Sequence, residues 1–181
     1  MATGTHEYLD DPRNADILIH VDGKLLPRDQ AVVSVFDSGF MLGDGVWEGI
    51  RLHNGRLAFL DAHLDRLYEG ALAIDLDIGP NTGLDRASLT DAIYQVCAAN
   101  GMRDNVHIRL MISRGIKSTP YQDPRVTIGP PTVVIIPEWK QPAPALARRP
   151  LKLFTVHVRR GAPDVLDAKI NSHSKLNCIT A

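Results

Sequence analysis

The dipeptide Asn54-Gly55, set between Val46–Leu52 and Arg56–Leu60, constrains this chain more than any other feature. Asn and Gly accept the positive φ angles that a two-residue type I′ turn requires, so the flanking stretches are expected to pair antiparallel. Asp22-Gly23 repeats the signal between Ile17–Val21 and Lys24–Leu26. Val32–Phe36, Val106–Ser113 and Thr132–Ile136 are further strand candidates, which makes the first part of the chain β-rich.

Two helical patterns interrupt the strands. Leu60, Leu64, Leu67, Ala71 and Ile74 recur at helical spacing behind Asp61, a residue able to cap. Ser88, with Asp91 three residues on, opens a second helix that is expected to bury Leu89, Ile93, Val96 and Cys97 and to stop at Asn100-Gly101. Both helices are expected to cover one face of the sheet.

Pro142, Pro144 and Pro150 disfavour helix interior and central strand, so residues 138–150 read as a linker. Residues 1–137 then form a first domain. Residues 151–181 begin another with a strand over Leu151–Arg159 and a helical start over Lys175–Ala181. A segment this short cannot build a core of its own.

With 20 Lys and Arg against 21 Asp and Glu, the net charge of -1 supplies no field to hold nucleic acid or an anionic membrane. No apolar run approaches the roughly 20 residues that span a bilayer, and Met1–Asp11 lacks the pattern of a signal peptide. Cys97 and Cys178 stand far apart, which argues against a zinc knuckle or a redox CxxC pair. A cytoplasmic protein without a metal centre is expected.

Strand alternation separates the chemistry by face. On Val106–Ser113 it puts His107 and Arg109 on the side opposite Val106, Ile108, Leu110 and Ile112, where the two could receive an anion. On Val46–Leu52 it groups Trp47, Gly49 and Arg51 as a small-molecule pocket or a plain solvated face. Glu48 falls on the apolar side, where an ion pair or an edge position is expected rather than a catalytic acid. Gly43-Asp44-Gly45 reads as a structural turn. His63, Arg66 and Gly70 share one stripe of the first helix, and Arg66 could clamp a phosphate or be a surface charge. Asp167–Lys175 is the most chemical stretch; its Lys169 could form a Schiff base or be a loop lysine.

Together, Phe40–Arg51, the hairpin Asn54-Gly55-Arg56 and His63–Leu67 resemble the N-terminal domain of the class IV (fold type IV) pyridoxal-phosphate aminotransferases. That family includes branched-chain aminotransferases, D-amino acid and (R)-selective amine transaminases, and aminodeoxychorismate lyase. The resemblance implies an α+β/α/β two-domain fold with the N-terminal α/β sandwich complete and the C-terminal domain only begun. It implies pyridoxal 5′-phosphate as cofactor, with Arg66 on its phosphate and Lys169 forming the Schiff base. Trp47, His107, Arg109, Trp139 and Leu42 would line the substrate pocket, and Arg51 would assist Arg109 with the substrate carboxylate.

The function implied is ping-pong transamination between a small, apolar, branched-chain-like amino acid and a 2-oxo acid such as 2-oxoglutarate or pyruvate. Its alternatives are an aminodeoxychorismate lyase, a D-amino acid or (R)-amine transaminase, or an inactive binding homologue. A homodimer is expected, and the rest of the C-terminal domain, with the partner of the pyridine nitrogen, would lie in a missing or separate portion. Leu42 and His107 stand where branched-chain enzymes carry Tyr, and Lys175 where a Tyr would reach the cofactor's phenolic oxygen. The spacing after the lysine is also longer than in relatives, so Lys175 is a rival to Lys169.

Overall fold

The computed structural model describes residues 10–79, 82–141 and 153–181. Expectations for Met1–Leu9, for the three linker prolines and for the first residues of the 151–159 strand lie outside the described residues. Among the described residues six strands form one sheet: β1 (Leu18–Val21), β2 (Lys24–Pro27), β3 (Gly45–His53), β4 (Arg56–Leu57), β5 (Val106–Ser113) and β6 (Thr132–Trp139), in the spatial order β2-β1-β6-β5-β3-β4. Every pair is antiparallel, so this layer takes the α+β form within the α+β/α/β fold that the resemblance implied.

Both hairpins turn as their dipeptides require. Asp22 and Gly23 have φ of 48° and 82°, and Asn54 and Gly55 have φ of 49° and 76°. The long ladders set the faces: β3 pairs with β5 from Gly45↔Ser113 to Leu52↔Val106, and β5 pairs with β6 from Val106↔Trp139 to Ser113↔Thr132. β6 thus continues to Trp139, into the expected linker. β4 covers only Leu52 and His53, leaving the rest of that edge of β3 without a neighbouring strand.

Helices α2 (Leu60–Ala73) and α3 (Arg86–Ala99) pack on one face of the sheet. Leu64, Leu67 and Ala71 of α2 and Leu89, Ile93, Val96 and Cys97 of α3 are buried against Val46, Ile50, Ile108 and Leu110. Each such aliphatic side chain contributes roughly 1.5–3 kcal/mol by leaving water.

The helix starts differ from expectation. Phe59, at φ 52°, precedes α2 without a side-chain cap, and Asp61 sits inside the first turn, where its charge complements the positive helix end. Asp85, not Ser88, caps α3 by accepting from the Ser88 backbone N–H. Val32–Phe36 forms no strand: no edge is offered to it, Val32 and Val35 are exposed, and Asp37 N–H closes a turn onto Ser34 O. Instead Asp37 caps a short α1 (Ser38–Leu42), which ends at Gly43 with φ 69°. Residues 153–159 are irregular too, with Leu153 and Phe154 exposed and no ladder among the described residues. The helical start after Lys175 is present as α4 (Leu176–Thr180). No helix among the described residues is long and apolar enough to cross a membrane.

Burial pushes the Cys97 thiol up to about 11, whereas Cys178 is exposed. Because the thiolate is the nucleophile, an aromatic disulfide reagent at neutral pH is expected to titrate Cys178 at once and Cys97 only after denaturation. Fast reaction at both would show that α3 does not seal the core.

Candidate functional site

Glu48 extends from β3 toward α2 and is fully buried. Its carboxylate accepts from Arg66 Nε at 2.7 Å on one oxygen, and from Arg66 Nη2 at 2.5 Å and His63 Nδ1 at 2.7 Å on the other. The expected ion pair is present, and its partners are the two residues that helical spacing stacks on one stripe. A carboxylate only accepts, so His63 carries its proton on Nδ1. The hydrogen bonds to Glu48 raise the Arg66 pKa and keep the guanidinium charged. Glu48 grips only one edge of that fork. Nη1 donates to nothing among the described residues, and the side chain is 51% exposed, so the open edge faces outward.

The opposite face of the sheet carries the second group. Across the β3–β5 ladder Trp47 lies opposite Met111, Gly49 opposite Arg109 and Arg51 opposite His107. The Arg109 guanidinium stacks on Trp47, its central carbon 3.8 Å from the ring centroid, and the Lys175 Nζ lies 5.4 Å from the same centroid. Arg109 is half-buried and donates no hydrogen bond among the described residues; desolvation lowers its pKa, with Glu138 opposing. A guanidinium always carries charge in a protein, so this is a cation with unused donors, suited to an anion. A methyl group on Gly49 would stand 3.1 Å from His107 Nε2, so the glycine lets imidazole and indole share the face.

The remaining expected pocket residues lie apart. Arg51 Nη1 donates to Lys140 O at 2.5 Å, at the end of β6. Trp139 pairs with Val106, carries Arg13 on its ring at 4.8 Å and is held at both backbone groups by Asn14. Leu42 is an exposed residue of α1.

The lysine-bearing segment lies against the uncovered edge of β3. Trp47 N–H donates to Asn171 O and His173 N–H to Gly45 O, each at 2.9 Å, around a bridge between Val46 and Ser172. Ile170 packs against the core on the α2 side, near Gly70 and Val46. Lys169, just before this pairing, is exposed; Asp167 accepts from its backbone N–H, and its amine has no partner among the described residues. Asn171 and His173 were not expected in the site, and a three-residue pairing has no periodicity to reveal it. His173 also borders a cavity of about 450 Å³ lined by Val33, Phe40, Met111 and Val134.

The matched family decides what this arrangement belongs to: the model for amino-transferase class IV covers residues 45–181, from the first residue of β3 to Ala181. This chain belongs to the class IV aminotransferase family. It is 40% identical over 170 residues to the branched-chain-amino-acid aminotransferase-like protein 1 of Arabidopsis thaliana, over 94% of this chain and 30% of that protein. Among solved structures, a branched-chain aminotransferase from the archaeon Thermoproteus uzoniensis with norvaline superposes with a TM-score of 0.69 at 24% identity, over 92% of this chain and 55% of that one. The 4-amino-4-deoxychorismate lyase of Pseudomonas aeruginosa gives 0.72 at 26% identity, over 91% and 55%. The class IV chain thus spans about half, or less, of the length of these relatives. Its matched region contains Trp47, Glu48, Arg66, Arg109, Lys169 and Lys175.

Proposed function

We propose that the protein to which this chain belongs transfers an amino group between a small, apolar, branched-chain-like amino acid and a 2-oxo acid, using pyridoxal 5′-phosphate. The observation that carries this reading is Arg66, gripped on one edge by a buried carboxylate and open on the other, within a class IV chain. The residues present fit the cofactor: an oriented guanidinium with unused donors suits a phosphate, and the exposed Lys169 amine, without a partner among the described residues, suits an aldehyde carbon.

When bound, pyridoxal 5′-phosphate supplies the electron sink that makes loss of a substrate Cα proton feasible. Arg66 would hold the phosphate through its open edge. The Lys169 amine would take the Cα proton and later give it back, which is general base and then general acid catalysis. Arg109, stacked on Trp47, receives the substrate carboxylate, and the indole supplies apolar surface beside it. His107 neighbours that subsite beside Gly49, whereas Arg51, opposite His107, is turned to Lys140 O.

The test uses the full-length protein with pyridoxal 5′-phosphate. Borohydride reduction and peptide mass spectrometry are expected to place a phosphopyridoxyl group on Lys169, and L-leucine should convert the cofactor spectrum in a half-reaction that a 2-oxo acid reverses. Arg109→Met should raise KM for carboxylated substrates about ten- to a hundredfold, the range for hydrogen bonds to a charged group, with cofactor uptake unchanged. Reaction only with amines that lack a carboxylate would overturn the role of Arg109. A lyase is the second reading, supported by the likeness to the Pseudomonas aeruginosa enzyme; pyruvate release from aminodeoxychorismate without any amino acceptor would select it.

A further inference from the structure

We propose that His173 is a positioning residue: it latches the lysine-bearing segment to the uncovered edge of β3 and thereby sets where the Lys169 amine stands relative to Arg66. The proposal rests on the assignment of Lys169 made above.

The segment needs such a latch. Only two backbone hydrogen bonds join residues 171–173 to β3, each worth about 1 kcal/mol net. Ordering a residue's backbone costs about 1–2 kcal/mol. Little apolar burial follows, since Leu176 and Ile179 of α4 are exposed. Side chains must supply the difference. Asn171 Nδ2 donates to Trp47 O at 2.7 Å and Trp47 Nε1 to Ser172 O at 3.0 Å. His173 adds Nε2–H to Val46 O at 3.1 Å.

His173 differs from the other two in how closely its ring is enclosed. A methyl group on Gly39 would stand 2.7 Å from Ser113 Cβ and 2.9 Å from the His173 Nδ1, and one on Gly45 would stand 2.5 Å from Ile112 O and 2.7 Å from the His173 Cε1. Those distances are closer than real side chains tolerate, so β5 and the imidazole together close the space beside both glycines. Its backbone N–H is bonded to Gly45 O and its ring to Val46 O, so one residue grips two successive carbonyls of β3. A carbonyl only accepts, which fixes the neutral tautomer with the proton on Nε2. Burial lowers the ring's pKa and favours that form; the bond to Val46 O, then Asp37 and Asp44, oppose it, and Arg109 adds to it.

The experiment compares His173→Leu and His173→Gln in the full-length protein. Gln can present an N–H to Val46 O, and Leu cannot. Amide hydrogen exchange at Trp47 and at residue 173, without added cofactor, reads the docking directly; pyridoxal 5′-phosphate titration and borohydride mapping read its consequence. His173→Leu is expected to lose about tenfold in protection at both amides and about tenfold in cofactor affinity, the scale of one buried hydrogen bond. His173→Gln should stay within about twofold of the parent. Parental protection and affinity in the Leu variant would overturn the latch. If that variant does not fold, a folded Gln variant with protection lost would equally overturn it, because the donor is then present without effect. Label absent from Lys169 in the parent protein would sink the lysine assignment instead, and the exchange comparison would still decide the latch.

Discussion

Arg66→Met in the full-length protein is expected to lower the unfolding free energy by about 3 kcal/mol and to abolish retention of pyridoxal 5′-phosphate through dialysis. The first effect follows from Glu48, which is fully buried and ionically paired with Arg66. Removing the partner of a buried carboxylate leaves its charge without a counter-ion, at roughly 3–5 kcal/mol for a fully buried pair and less where, as here, the partner is half exposed. The low end applies because His63 Nδ1 still donates to one carboxylate oxygen. The second effect follows from the open edge of the guanidinium, which Met cannot replace. Urea unfolding followed by circular dichroism measures the first, and absorbance of retained cofactor the second. The double variant Glu48→Gln/Arg66→Met separates them: without the buried charge most of the stability should return, whereas cofactor retention should not. An Arg66→Met protein with the parental urea midpoint would show that Glu48 does not depend on this partner.

That coupling was half legible in the amino-acid sequence. Alternation places Glu48 on the apolar face of β3, and helical spacing places His63 beside Arg66, because each rule needs only local geometry. Joining them requires knowing that α2 crosses β3 at Glu48, which is a tertiary fact. The same distinction separates the other successes from the failures. The faces of β3 and β5 follow from a strict period of two with one side buried. Val32–Phe36 has strand-forming composition, but strand propensity reports a fit to a half-buried sheet, and no edge receives it. The Asp37 cap and Gly43 terminus of α1 were present as residue types at the right spacing; a single helical turn between them carries too short an apolar pattern to stand out.

The lysine segment was the least legible part. Its pairing with β3 spans three residues and depends on an edge that β4 leaves uncovered, so neither propensity nor period marks it. His173 looks like one polar residue among several until its backbone and ring are seen to bond two successive carbonyls of β3. Trp139 and Arg51 show the converse: both sit on strands of the right sheet, yet their contacts lie with Asn14, Arg13 and Lys140 at its end.

Lys169→Ala is expected to slow the half-reaction with an amino donor by about 10²–10⁴-fold, the range for loss of a positioned acid–base group, and to end borohydride trapping. Lys175→Ala should keep both, at a cost of about tenfold in KM for a carboxylated substrate, the scale of one charge-assisted contact. The two lysines differ because their surroundings do. The Lys169 amine is exposed and has no partner among the described residues, at the start of the segment whose Ile170 packs near Gly70 of α2, the helix that carries Arg66. The Lys175 ammonium lies over Trp47, whose ring also holds Arg109, so it adds positive charge where an anion would be received. Single-turnover spectra at saturating donor, where KM effects vanish, decide between them. If Lys175→Ala proves to be the variant that loses trapping and turnover, the reactive amine belongs to position 175, and the single cation Arg109 must then receive the carboxylate alone.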